Sequence, residues 1–174
     1  MVRSRLSVLV CVALLLAGAA GEAWAGDPFG AFIKALRPTC ARAPSADCAS
    51  AVAAYLDTNG NGRVEFGELQ RALAQAGRSV GDKGSALNGI ERNLTVVALM
   101  AVRYAGAAEV FANFDANRDG SLSTAELFAD FRIDRRPFGQ IVKDPKAVDW
   151  KRFAGRFGKV GFLITDLLPP SHRR

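Results

Sequence analysis

Two stretches of the chain carry oxygen-bearing residues at one repeated spacing. In DTNGNGRVEFGE, residues 57–68, the donors are Asp57, Asn59, Asn61, the Arg63 carbonyl, Glu65 and Glu68. In DANRDGSLSTAE, residues 115–126, they are Asp115, Asn117, Asp119, the Ser121 carbonyl, Ser123 (reaching through a water) and Glu126. This is chemistry for a hard divalent cation. Calcium takes about six to eight oxygens in loose geometry, and a loop of about twelve residues can offer them from positions 1, 3, 5, 7, 9 and 12. Short Asp and Asn side chains reach a metal at the centre of a tight turn, and the longer glutamate at the last position swings in with both oxygens. Gly62 and Gly120 stand at position 6, where the chain must bend through positive φ, a conformation that a Cβ resists. A surface turn rich in Asx and Gly uses the same residue types, but it has no need to repeat the whole pattern.

Both stretches resemble EF-hand loops in full, and the chain is similar to the EF-hand superfamily. The resemblance implies an all-α fold: an EF-hand pair, helix–loop–helix twice, with additional N- and C-terminal helices. It implies Ca2+ as the bound ion, with the twelve donors above as the metal site. Val64 and Leu122 share position 8, where members of the superfamily pair as a short two-stranded bridge. One feature departs from the pattern. The two loops start 58 residues apart, whereas a loop, two helices and a short linker need only about 36–40. The loops either pair with the surplus folded outside, the reading that two apolar position-8 residues favour, or sit in separate half-units.

The elements that must hold these loops follow from caps and periodicity. Asp27-Pro28 reads as an N-cap with proline at the first helical position; Phe29, Phe32, Ile33 and Leu36 then share a face, and Pro38 ends the helix. Ser45 or Asp47 would cap a second helix through Tyr55 and Leu56 into the first loop. Its exit helix is predicted to close at Gly77 as a C′ residue, followed by a linker over 78–89. A long helix is expected from about Ile90 to Phe114, buried on more than one side because it is apolar nearly all round from Leu94 to Val102. The Asn93-Leu94-Thr95 acceptor pattern is discounted because it falls in that buried helix. The second hand spans about 102–134, and its exit helix carries Leu127, Phe128 and Phe131 and ends before Pro137. The first hand spans about 46–77.

Asp144-Pro145 reads as another helix start. From there Trp150, Phe153, Phe157, Val160 and Ile164 recur at intervals of three and four, opposite Lys151, Arg152, Arg156 and Lys159. The segment, about 145–168, is a basic amphipathic helix weakened by Gly155, Gly158 and Gly161. It completes the core, or calcium releases it, or it binds a membrane surface or an acidic partner.

Bulk features bound the setting. Met-Val-Arg-Ser-Arg, an apolar run over 6–20 and Ala23-Trp24-Ala25 form the signature of a secretory signal peptide cleaved after Ala25. The run is shorter than the roughly 18 residues of a membrane span; an uncleaved anchor is the alternative. The remaining 26–174 make one domain, expected to be secreted or periplasmic, with a compact leader that resembles those of bacterial exported EF-hand proteins. The whole chain has 23 Lys and Arg against 17 Asp and Glu, net +6. A basic body around acidic loops differs from the superfamily's acidic sensors; it suits an acidic partner or anionic membrane surface, or is simply solvated. No nucleic-acid partner is indicated, and a monomer is expected. Cys40 and Cys48 read as a disulfide in an oxidising compartment, contributing about 2–3 kcal/mol, with two buried thiols as the alternative. The single histidine, His172, lies in the tail beyond Pro169-Pro170. With no nucleophile–base–orienter set and no Gly-rich phosphate loop, the expectation is a protein that is not an enzyme.

Overall fold

Asp27 opens the first helix as the Asp-Pro pair predicts, its Oδ1 accepting the Gly30 N–H at 2.9 Å. The computed structural model describes residues 26–162; residues 1–25, where a leader and its cleavage point are expected, and the tail beyond 162 lie outside the described residues. Helix α1, Pro28–Arg42, does not stop at Pro38 but carries it inside. Its last turn is held by the Cys40–Cys48 disulfide, which joins it to the first turn of α2, Ser45–Leu56. That tertiary tether pins the turn that contains the proline, offsetting much of a cost of about 3 kcal/mol in a helix interior. The N-cap of α2 is Pro44, not Ser45 or Asp47. Ser45 is instead buried, its Oγ donating to the Asp134 carbonyl at 2.7 Å and its N–H to the Arg136 carbonyl at 2.8 Å.

After the first loop come β1, Val64–Glu65, and α3, Phe66–Gly81. Gly77 does not close α3, and the linker shrinks to 82–88. Ser79 explains the extension: it is buried, and its Oγ lies 2.9 Å from Asp27 Oδ2 and 2.8 Å from Ser85 Oγ. Helix α4, Gly89–Ala105, begins with a capping box between Asn88 and Glu91. Glu91 also receives Arg37 Nε and Nη2, each at 2.5 Å, which ties α4 to α1. The expected long helix is two helices. Gly106, at φ +90°, breaks it, and α5, Ala107–Phe114, leaves at a bend of 95°. Nor is α4 buried all round: Ile90 is 73% and Tyr104 67% exposed, with Leu94 and Met100 also open, while Ala101 is fully covered. Asn93 is exposed as well, contrary to the reason for discounting its acceptor pattern. The surplus residues between the hands are thus the last turn of α3, the linker and most of α4.

Beyond the second loop, β2, Ser121–Leu122, leads into α6, Thr124–Leu127, a single turn rather than a full exit helix. The chain turns away there because Phe128, Phe131 and Phe138 pack on one another, with ring centres 5.5–6.0 Å apart. Helix α7, Phe138–Ile141, follows, and Phe131 bridges to Val148. Asp144 caps no helix; Asp149 does, accepting the Arg152 N–H at 2.9 Å to start α8, Trp150–Gly155. Among the described residues, the helix expected over 145–168 is a six-residue piece followed by a 3-10 turn at Gly158–Val160; residues 163–168 lie outside them. Gly158 sits at φ +58° and ends the regular turn, and a Cβ on Gly161 would meet the Ala154 carbonyl at 2.3 Å.

The core lies between the two hands. Val64, Ala101, Val110, Phe111, Phe114, Leu122 and Phe157 are buried together, with Leu56, Phe66, Leu69 and Phe153 packed on them. Each large apolar side chain removed from water contributes about 1.5–3 kcal/mol. The two ends of the chain complete the two hands. On the first, Phe32 of α1 stacks on Tyr55 with ring centres 3.8 Å apart. On the second, Phe153 and Phe157 lie edge-on to Phe114 at 6.2 and 6.3 Å.

Candidate metal centre

The two loops face each other across a two-residue antiparallel ladder. Val64 pairs with Leu122 and Glu65 with Ser121, so the pairing expected of the position-8 residues is present. Both apolar side chains are buried under the ladder. The ladder fixes the loops back to back, and their polar positions project away from the core.

Within each loop the backbone is bent at two points. Gly60 and Gly62 have φ +73° and +80°; Arg118 and Gly120 have φ +59° and +82°. Positions 4 and 6 thus turn left-handed in both loops. Position 6 was legible as glycine. Position 4 was not, because the second loop puts an arginine there; only Gly60, at the matching place in the first loop, marks it.

The bends aim successive N–H groups at the first residue of each loop. Asp57 Oδ1 accepts from Gly60 and Asn61 at 2.8 and 3.1 Å, and Oδ2 from Gly62 at 2.7 Å. Asp115 repeats this with Asp119 and Gly120 at 3.1 and 2.9 Å. Asn59 Oδ1 takes the Asn61 N–H at 2.9 Å, and Asn117 Oδ1 the Asp119 N–H at 3.0 Å. The Asn and Asp side chains at positions 1, 3 and 5 therefore fold inward over their own loop.

The glutamate at position 12 closes the ring. Glu68 Oε1 accepts from the Thr58 N–H, the Thr58 hydroxyl and the Asn59 N–H at 2.8–3.1 Å, while Oε2 accepts from the Glu65 N–H at 3.0 Å. Glu126 Oε1 takes Ala116 and Asn117 at 3.2 and 3.4 Å, and its Oε2 takes the Ser123 N–H and hydroxyl at 2.8 and 2.7 Å. Each glutamate spans the start and the end of its loop. These hydrogen bonds stabilise the ionised carboxylates. The Glu65 N–H, ahead of the donors from Thr58 and Asn59, holds the Glu68 carboxyl down to about 2. The Ser123 N–H and hydroxyl keep Glu126 below its ordinary value. Both are anionic, metal-ready groups at any physiological pH.

The donor set fits a hard cation. It is oxygen only, from carboxylates, amides, hydroxyls and carbonyls, with no thiol or imidazole that would favour zinc or copper. Among the described residues no three His, Cys, Asp or Glu side chains are drawn together; the carboxylates of each loop are interleaved with Asn, Ser and backbone donors and turned onto N–H groups. The loop pattern marks the Arg63 carbonyl but not the reach of its side chain. The guanidinium crosses to the other loop, Nη2 on Asp119 Oδ2 and Nε on Ser121 Oγ at 2.8 Å.

The EF hand family model matches the chain at two places, residues 54–74 and 107–127. The first match covers the end of α2, the loop and the start of α3; the second covers all of α5, the loop and all of α6. No curated protein and no solved structure matches the chain. With two matched segments, two loops of one geometry and an antiparallel ladder joining them, the chain carries two EF hands paired through their loops.

Proposed function

We propose that the protein binds calcium in both loops and works outside the cytosol as a calcium buffer or as a domain that calcium stabilises. The observation that carries this reading is the placement of Glu68 and Glu126. Each spans its own loop, accepting N–H groups from the loop's start with one oxygen and from position 9 with the other, and two such oxygens are what an ion at the centre would take. Asp57, Asn59, Asn61, the Arg63 carbonyl, Glu65 and Glu68 would hold one ion. Asp115, Asn117, Asp119, the Ser121 carbonyl, Ser123 and Glu126 would hold the other. Bound calcium supplies charge neutralisation and cross-linking of the loop, and no bond chemistry is required of it.

Each loop offers three carboxylates. That modest charge supports affinities nearer the range of about 10⁻⁴–10⁻³ M found in extracellular modules than the nanomolar range of cytosolic buffers. The leader at 1–25 and the Cys40–Cys48 bridge support an oxidising, exported setting. Isothermal calorimetry on residues 26–174 tests the reading. Two binding events weaker than about 10⁻⁵ M are expected, with Glu68→Gln and Glu126→Gln each removing one. Absence of heat at millimolar calcium in the unaltered protein contradicts it.

A further inference from the structure

Arg63 belongs to both loops. Its backbone carbonyl stands at position 7 of the first, and its side chain lies on the second. There it meets Asp119, whose oxygens are already engaged. Oδ1 accepts the Ser121 N–H and hydroxyl at 2.9 and 2.8 Å; Oδ2 takes Arg63 Nη2 and the Asn117 amide at 2.8 Å. Asp119 is the position-5 donor of the second loop. A calcium ion ligated by it must share the carboxylate with a guanidinium, or displace one.

We propose that Arg63 is an internal competitor for calcium at the second loop, so that its guanidinium lowers that loop's affinity and swings off Asp119 as the ion enters. Two effects act in the same direction. The ion pair must be broken or loosened, and a unit positive charge held against a metal ligand repels a divalent ion. The pair is about one-third exposed on each side, so the electrostatics are screened and the effect is modest and dependent on salt. Arg63→Met is expected to tighten the second site by roughly twofold to fivefold at low ionic strength. The inference rests on the calcium reading of the two loops.

Because Arg63 also lies in the first loop, the experiment must report each site separately. The Gly62 and Gly120 N–H groups do so, since they donate to Asp57 and Asp115 respectively. A ¹H–¹⁵N NMR titration of residues 26–174 with calcium chloride follows both amides in the intact domain. Arg63→Met should move the Gly120 midpoint to lower calcium, and 0.5 M potassium chloride (about a 4 Å screening length) should shrink the gap from the unaltered protein. Arg63→Lys keeps the charge but cannot fork across Asp119 and Ser121, and should fall between the two. Arg103→Met makes the same change in net charge on α4 and should leave the Gly120 midpoint in place. A Gly120 midpoint that is unchanged or weakened in Arg63→Met, or equally shifted by Arg103→Met, overturns the competitor role while leaving calcium binding intact. Failure of both amides to respond in the unaltered protein overturns the calcium reading itself, and this inference with it.

Discussion

Arg156 sets its guanidinium against both carboxylate oxygens of Asp130, Nη2 to Oδ1 at 3.1 Å and Nε to Oδ2, with both side chains buried. Its Nη1 donates to the Asn113 carbonyl at 2.6 Å, and its carbon centre lies 4.5 Å above the Phe114 ring. The Asn113 amide returns a bond to the Arg156 carbonyl at 2.9 Å. One residue of the C-terminal segment thus grips the entering helix of the second hand and the strip that leaves it. With Phe153 and Phe157 on Phe114, this makes the segment part of the core, the first of the roles open to it from sequence.

Removing one half of that pair strands the other. Arg156→Met leaves Asp130 buried with Arg152 Nε, 3.1 Å away and largely exposed, as its remaining cation. Breaking a buried pair costs about 3–5 kcal/mol, and the residual partner puts the expectation at the lower end. Urea unfolding measures it. Arg156→Met combined with Asp130→Leu should recover part of the loss, since no buried charge is then left unpaired.

Part of the acid limb of stability should come from a second ion-pair group. Arg136 Nη1 and Nη2 meet Asp144 at 2.7 Å and Asp134 at 2.8 Å, and its hydrogen bonds hold both carboxyls below their ordinary values. Folded values lower than unfolded ones mean that the contribution is complete above about pH 4, the unfolded carboxylate range. It is lost as pH falls through the lower folded values. Urea midpoints should therefore hold steady from pH 7 to about 5 and decline below about 4. In Arg136→Met that decline should be shallower; an identical slope would remove Arg136 as its cause.

Gly106 is the corner between α4 and α5. At φ +90° an alanine is strained, although its Cβ would meet only Glu109 Cβ at 3.9 Å. Gly106→Ala should cost about 1–3 kcal/mol through the backbone alone, without a packing clash. Thermal unfolding checks it, and an unchanged midpoint would mean that the corner straightens freely.

The two loops were legible because the twelve-residue pattern fixes residue type position by position, with little help from the rest of the fold, although the left-handed turn at position 4 was not. The disulfide and the Asp27 cap were local signals too. Helix ends were not. Gly77 and Gly106 look alike in sequence, yet α3 continues through the first because Ser79 is anchored on Asp27, while the chain turns at the second. Pro38 should have ended α1, and the bridge at Cys40, two residues on, holds that turn. Trp150, Phe153 and Phe157 announced an apolar face over 145–168, but among the described residues the glycines at 158 and 161 and the buried Arg156 cut the helix to a short piece. The long-range contacts of Arg63 and Arg156 left no trace in local pattern, since nothing in a single strand of sequence says which distant carboxylate an arginine will reach.

The central claim is stoichiometric. Equilibrium dialysis of residues 26–174 against calcium in large excess over the dissociation constants, with metal counted by mass spectrometry, should return two calcium ions per chain. It should return one in Glu68→Gln and one in Glu126→Gln. A chain that emerges without calcium, or whose calcium content is indifferent to both glutamates, would contradict the account.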